Sequence, residues 1–381
     1  MANFSCPESK TSATVKGAAY MLSPGARMRF QPGAGGGPAE PVRLATRTFN
    51  SPVVPADPSG LVPLAPLGIG KPLAIELAFV SAGDGVRLSS DLLITSSIKK
   101  LPVYDASPRA VNAIARGVRD RFSGRVDAIS PTLPWTPLVY YSKAHAERSV
   151  TVGIECVFDK YNDDIVQQIA GLVGAAAGIP IFMPASAFLM AGSMLAKIGS
   201  RILEKIIDGR PAFSDTITIN LDRPGSASTP AAFHVLYQNS LTIDAGLRSG
   251  TIVFDSVRGL VDAQTKEPID TRDPYIVLLV YGNEMPDYES FVPTMATAAM
   301  LDRFFHTGET GAPITGDILN LLKATNDIRF RNDAKRLIGD AQLVDASTED
   351  GKKKVKLLKD RFDAAVKNLT DASLAPAWPL G

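Results

Sequence analysis

At 381 residues and 45% apolar content, the chain can bury a substantial core in one large domain or two to three ordinary ones. A net charge of +1 supplies no strong field toward nucleic acid, acidic substrates or anionic lipid. Two cysteines, Cys6 and Cys156, exclude a disulfide framework and a thiolate zinc site.

The first residues, MANFSCPESKTSATVKG, show neither a positive n-region nor an apolar h-region, so residence in the cytosol is expected. Residues 1–72 carry eleven prolines and the run GAGGG at 33–37, which predicts an irregular arm with edge strands at most. The glycine run lacks the following Lys-Ser/Thr of a phosphate loop. Residues 73–80 alternate Leu73, Ile75, Leu77 and Phe79 on one face and predict a strand, followed after a Gly83-Asp84-Gly85 turn by a second strand at 91–98. Ser107-Pro108 has the form of a helix start, and Ala110, Val111, Ile114, Ala115, Val118 and Phe122 then fit the buried stripe of a helix over 108–122. Arg109, Arg116, Arg119, Arg121 and Arg125 would form its solvated face rather than a nucleic-acid footprint.

Strands are predicted at 138–141 and, from strict alternation of Val150, Val152, Ile154, Cys156 and Phe158, at 149–158. Further strands are predicted at 216–221, 232–238, 251–257 and 275–281, separated by the turn clusters DRPGSAS, DAGLRSG and KEPIDTRD. From 294 the period becomes helical: a short helix at 295–305, a linker at 307–316, then helices over 317–344 and from a Ser347 cap onward. Lys352, Lys353 and Lys354 lie at the helix end that disfavours cations and are expected to be solvated. The element order predicts an α+β protein: a mainly antiparallel β-sandwich spanning 73–293, with an inserted apolar helical hairpin and a C-terminal helical region over 294–381.

No chemistry-bearing motif emerges. His145, His234 and His306 are far apart in sequence and in no metal-ligand pattern, and no nucleophile elbow, Walker A, HExxH or dinucleotide fingerprint appears. No cofactor, metal, nucleic acid or small-molecule substrate is therefore expected, and a hydrolase would need a dispersed site. The run DPYIVLLV at 273–280 resembles the Asp-Pro-Tyr-Val strand of C2-type β-sandwich domains. That resemblance implies a sandwich strand and, at Asp273, a loop aspartate of the kind that holds calcium or contacts lipid. Asp270 and Asp262 do not match the spacing of the partner aspartate, and GNEMPDYE replaces the later Asp-x-Asp pair.

One stretch is unlike the rest. Residues 165–196, thirty-two in all, contain no charge, and helical spacing continues through residue 207. The stretch is longer than the ~20 residues of a bilayer crossing, but Pro180 and Pro184 split it, and Lys197, Arg201, Glu204 and Lys205 occupy the last turns. The expected form is a helical hairpin joined by IPIFMP, packed on the sandwich. Ile169, Leu172, Val173, Ile179, Ile181, Phe182, Met183, Phe188, Leu189, Met190 and Leu195 are its candidate contact residues. The function this predicts is a non-enzymatic effector or interaction protein, held inactive by the C-terminal helices. It would act on a protein partner, on a second copy or conditionally on a membrane. A structural subunit of a homo-oligomer is the alternative from another class.

Overall fold

The structure, a computed structural model, describes residues 64–83, 90–99, 109–118, 123–125, 135–161, 182–183, 213–221, 229–237, 241–270, 273–288 and 315–379. It also describes Val53, Val54 and single positions at 163, 166, 167, 170 and 173. Within these residues the chain is α+β, and every strand pairing is antiparallel.

The first sheet has β1 (Val53–Val54), β10 (Ala232–Tyr237), β13 (Tyr275–Tyr281) and β2 (Leu73–Ser81) side by side. The far edge of β2 is shared by β5 (Ser123–Arg125) and β6 (Leu138–Ser142). The second sheet runs β8 (Phe182–Met183), β4 (Arg109–Val118), β3 (Ser90–Lys99), β7 (Ser149–Asp159) and β9 (Phe213–Asn220). The two sheets share one core. Leu73, Ile75, Leu77, Leu236, Ile276 and Leu278 from the first meet Leu92, Ile94, Val150, Val152, Ile154, Ile217 and Ile219 from the second. Two-residue periodicity in β2, β7 and β9 makes this possible, since alternate side chains point to the same face.

The predicted helix over 108–122 is instead the strand β4. Its register against β3 slips between Ile94 and Thr95, so Asn112 is an extra residue opposite no partner. The bulge puts Ala110, Ala113 and Ala115 in the shared core and leaves Val111 and Ile114 for the other face, a spacing that imitates a helical stripe. Asn112 is itself buried and donates through Nδ2 to the Leu138 carbonyl at 2.9 Å, tying β4 to β6 in the opposite sheet.

The outer face of the first sheet has a second cover. Here DAGLRSG is not a turn cluster: residues Leu241–Ser249 form helix α1. The expected strand at 251–257 is a hairpin of β11 (Ile252–Asp255) and β12 (Gly259–Asp262). Ile243, Ile252 and Leu260 pack there on Phe79, Phe233, Tyr275 and Val277. Gly259 takes φ +82°, and a Cβ on it would lie 2.6 Å from the Phe79 ring and 2.5 Å from the Tyr275 hydroxyl, so only glycine fits.

The C-terminal helical region is present as α2 (Thr315–Gln342) and α3 (Glu349–Lys367). Helix α2 starts inside the expected linker, and Thr348, not Ser347, caps α3 by accepting from the Gly351 N–H. Lys352 and Lys353 pair with Glu349 and Asp350 across one turn. Phe330, Ala334, Leu337 and Ala341 of α2 meet Leu358, Phe362 and Ala365 of α3 in a core of their own, closed by Trp378 at 4.9 Å from Phe362. The expected helix at 295–305 lies outside the described residues.

Candidate interaction site

Strands β7 and β9 are hydrogen-bonded neighbours, with Cys156 opposite Phe213 and Ser149 opposite Asn220. A tight turn could join them. Instead the chain makes the excursion 160–212, which contains the entire charge-free stretch. The topology of the second sheet does not require it.

The excursion begins at the sheet end where Asp91 faces Asp159. By Phe182–Met183 the chain is at the opposite end and beyond the far edge, paired with Ala110 and Arg109 of β4. Between these points lies the outer face of β3, β4 and β7. Leu93, Val111, Ile114 and Val157 belong to that face, away from the shared core, yet all four are buried. Residues 163, 166, 167, 170 and 173 have helical backbone, and Val166, Ala170 and Val173 are buried, a stripe at i, i+4 and i+7, while Asp163 and Gln167 are exposed. The described positions of this segment thus bury small apolar side chains on one face and expose polar ones on the other.

The entry point is fixed by Asp91. Its carboxylate is 8% exposed and accepts from the Gly117 N–H (Oδ1, 3.1 Å), the Tyr161 N–H (Oδ2, 3.1 Å) and the Arg116 guanidinium (Oδ2, 3.1 Å). Arg116 also donates to the Tyr161 carbonyl at 3.0 Å and to Asp163. Gly117 adopts φ +60°, which turns its N–H toward the carboxylate. Arg116 therefore lies on a strand, not on the expected helix, and it clamps the start of the excursion to the sheet. Burial, and then the charges of Asp159 and Asp91, raise the pKa of the Tyr161 phenol, so it stays protonated.

Of the predicted contact residues, Val173 lies in the buried stripe, and Phe182 and Met183 form β8. The connector IPIFMP thus contains an edge strand, not merely a link between two helices. Ile169, Leu172, Ile179, Ile181, Phe188, Leu189, Met190 and Leu195 lie outside the described residues. Among the described residues, no helix is long and apolar enough to cross a membrane.

Other polar groups are committed locally. His145 is buried in the β6–β7 loop, with Nδ1 3.4 Å from the Tyr140 hydroxyl, and His234 lies on β10 opposite Leu278. His306 lies outside the described residues. Burial, and then the Glu155 charge, raise the pKa of the Cys156 thiol, which keeps it protonated and inert. Glu76 accepts from the Tyr281 hydroxyl at 2.9 Å and the Tyr288 hydroxyl at 2.6 Å; burial and then this carboxylate raise the Tyr281 pKa. The cluster pins the turn Pro286–Tyr288 against β2. Asp273 lies two residues before β13, a central strand of the first sheet. Among the described residues, no group of three His, Cys, Asp or Glu could hold a metal ion. Asp255 and Asp262 spend carboxylate oxygens on backbone N–H groups of their own turns.

The α2–α3 unit meets the sandwich at the β6–β7 loop. Asn368 Oδ1 accepts from the Ser142 hydroxyl (3.0 Å) and the Lys143 N–H (3.1 Å), and its Nδ2 donates to the Ala144 carbonyl. Arg361 pairs with Glu147 at 3.1 Å, and Lys367 with Glu284 at 3.4 Å. None of these contacts was legible in the sequence, because they join residues more than two hundred positions apart or, for Lys367–Glu284, eighty-three. Comparison with protein-family models, with curated proteins and with solved structures finds no match to this chain.

Proposed function

We propose that the protein is a non-enzymatic interaction protein. Its contact element is the part of the charge-free excursion beyond Met183, and its C-terminal helical unit governs access to that element. The observation that carries this reading is the excursion itself: a long insertion, with a charge-free stretch over residues 165–196, between two strands that are already neighbours. An insertion the sheet does not need has another purpose. The part before Met183 has one: its stripe is buried and its connector pairs with β4. The part beyond carries Phe188, Leu189, Met190 and Leu195 with no charge before Lys197. Such a stretch transfers to an apolar environment with little polar side-chain desolvation, so a bilayer is the favoured partner.

Dye release from liposomes tests this, with the full chain and with a variant carrying Phe188→Asp and Leu189→Asp. Release by the full chain, or by the chain after proteolytic loss of 317–381, that the double aspartate variant abolishes supports the proposal. Absence of release in every arm rejects membrane action.

A second reading, self-association, is favoured by β9. This eight-residue strand pairs with β7 alone among the described residues, and it carries neither proline nor lysine to guard its open edge. Sedimentation at several concentrations decides it: a monomer throughout excludes this reading.

A further inference from the structure

We infer that the β6–β7 loop is a preformed seat for the C-terminal end of α3, and that the α2–α3 unit docks on it and leaves it as a folded body. This holds whatever the charge-free segment binds.

The seat is rigid without its occupant. The Gly70 N–H donates to the His145 carbonyl at 2.8 Å and the His145 N–H donates to the Lys71 carbonyl at 2.8 Å; the single Ser142 hydroxyl proton is shared between the Ala144 carbonyl at 2.9 Å and Asn368 Oδ1 at 3.0 Å, and goes to Ala144 when the seat is empty. The occupant is equally self-sufficient. Among the described residues, its apolar cluster is drawn from α2, α3, the loop between them and the tail, and none of these joins the shared core of the sandwich. Asp327 of α2 holds the tail by accepting from the Thr370 N–H at 2.6 Å and the Asp371 N–H at 3.2 Å.

Among the described residues, the hydrogen bonds and ion pairs that join the two bodies come from Arg361, Lys367 and Asn368. Asn368 caps α3 by donating to the Ala364 carbonyl at 2.7 Å and at the same time addresses three consecutive loop residues. Arg361 and Glu147 are only 26% and 30% exposed, so their pair is partly shielded from water. Lys367–Glu284 is exposed and contributes little. Arg361 Nε is buried with no protein partner, which weakens the junction because an unsatisfied donor favours the water-exposed state. Two bodies with closed cores and a small polar junction separate more readily than either unfolds.

The Lys143 amide reports the seat directly, since it donates to Asn368. Hydrogen exchange is measured on the full chain, on Arg361→Glu, on Glu147→Arg and on the double variant. Trp378 emission is followed in a Trp135→Phe background. Each single variant is expected to speed Lys143 exchange on the order of tenfold. The amides of Phe362 and Ala365 and the Trp378 emission stay unchanged, and the double variant restores Lys143 protection. Unaltered Lys143 exchange in both single variants overturns the seat. Loss of α3 protection together with Lys143 overturns docking as a folded body. Failure of the double variant to restore protection overturns the role of the ion pair.

Discussion

Replacing Asp91 with alanine removes the acceptor that fixes the start of the excursion. Two backbone donors then lose their partner: the Tyr161 N–H, which is buried, and the Gly117 N–H, whose residue is exposed and can take water instead. Each unsatisfied buried donor costs about 1–3 kcal/mol. The Arg116 ion pair adds little, because that side chain is 39% exposed and keeps the Tyr161 carbonyl and Asp163. The expected loss, from Tyr161 alone, is about 1–3 kcal/mol, and at roughly 2–4 °C per kcal/mol it lowers Tm by about 2–12 °C. Asp91→Asn keeps one oxygen and falls between alanine and the wild type. Arg116→Met costs less than about 1 kcal/mol. Equilibrium urea unfolding of the four proteins, with exchange of the Tyr161 amide as a local readout, measures this. If Arg116→Met proves as damaging as Asp91→Ala, the ion pair and not the amide bonds anchors the excursion, and the reasoning fails.

Gly259→Ala forces a side chain onto a left-handed backbone against Phe79 and Tyr275; it should destabilise by more than about 1 kcal/mol, read by thermal unfolding. Phe362→Ala empties the centre of the α2–α3 core and should cost about 3–5 kcal/mol within that unit, seen as a shift of Trp378 emission in a Trp135→Phe background while the sandwich transition is unmoved. Asp255 and Asp262 have pKa values depressed below the ordinary aspartate range, chiefly by the Arg258 and Thr265 backbone N–H groups respectively. Their contribution is present above pH about 4 and is lost as pH falls through the depressed folded values. Asp255→Asn with Asp262→Asn should flatten the acid limb of a stability–pH curve; an unchanged limb shows that these turns do not contribute to it.

Strands whose apolar residues keep one face throughout, such as β2 and β7, could be read from the sequence because period two has a single interpretation. β4 could not. Its bulge at Asn112 shifts the alternation, and apolar residues at 110, 111, 114, 115 and 118 satisfy a helix as well as a broken strand. Helix α1 was hidden by turn-forming residues. Gly246 is there because a Cβ would fall 2.3 Å from Ile252 Cδ1, a constraint imposed by the following hairpin rather than by the helix. The charge-free stretch announced itself by composition. Its path did not, because the pairing of Phe182–Met183 with β4 joins segments some seventy residues apart and leaves no local trace.

The two points at which that stretch is held limit what it can do. Asp91 and Arg116 clamp its start at Tyr161, and Phe182–Met183 is paired with Ala110 and Arg109 of β4. A pull on the residues beyond Met183 therefore bears first on the β8 pairing.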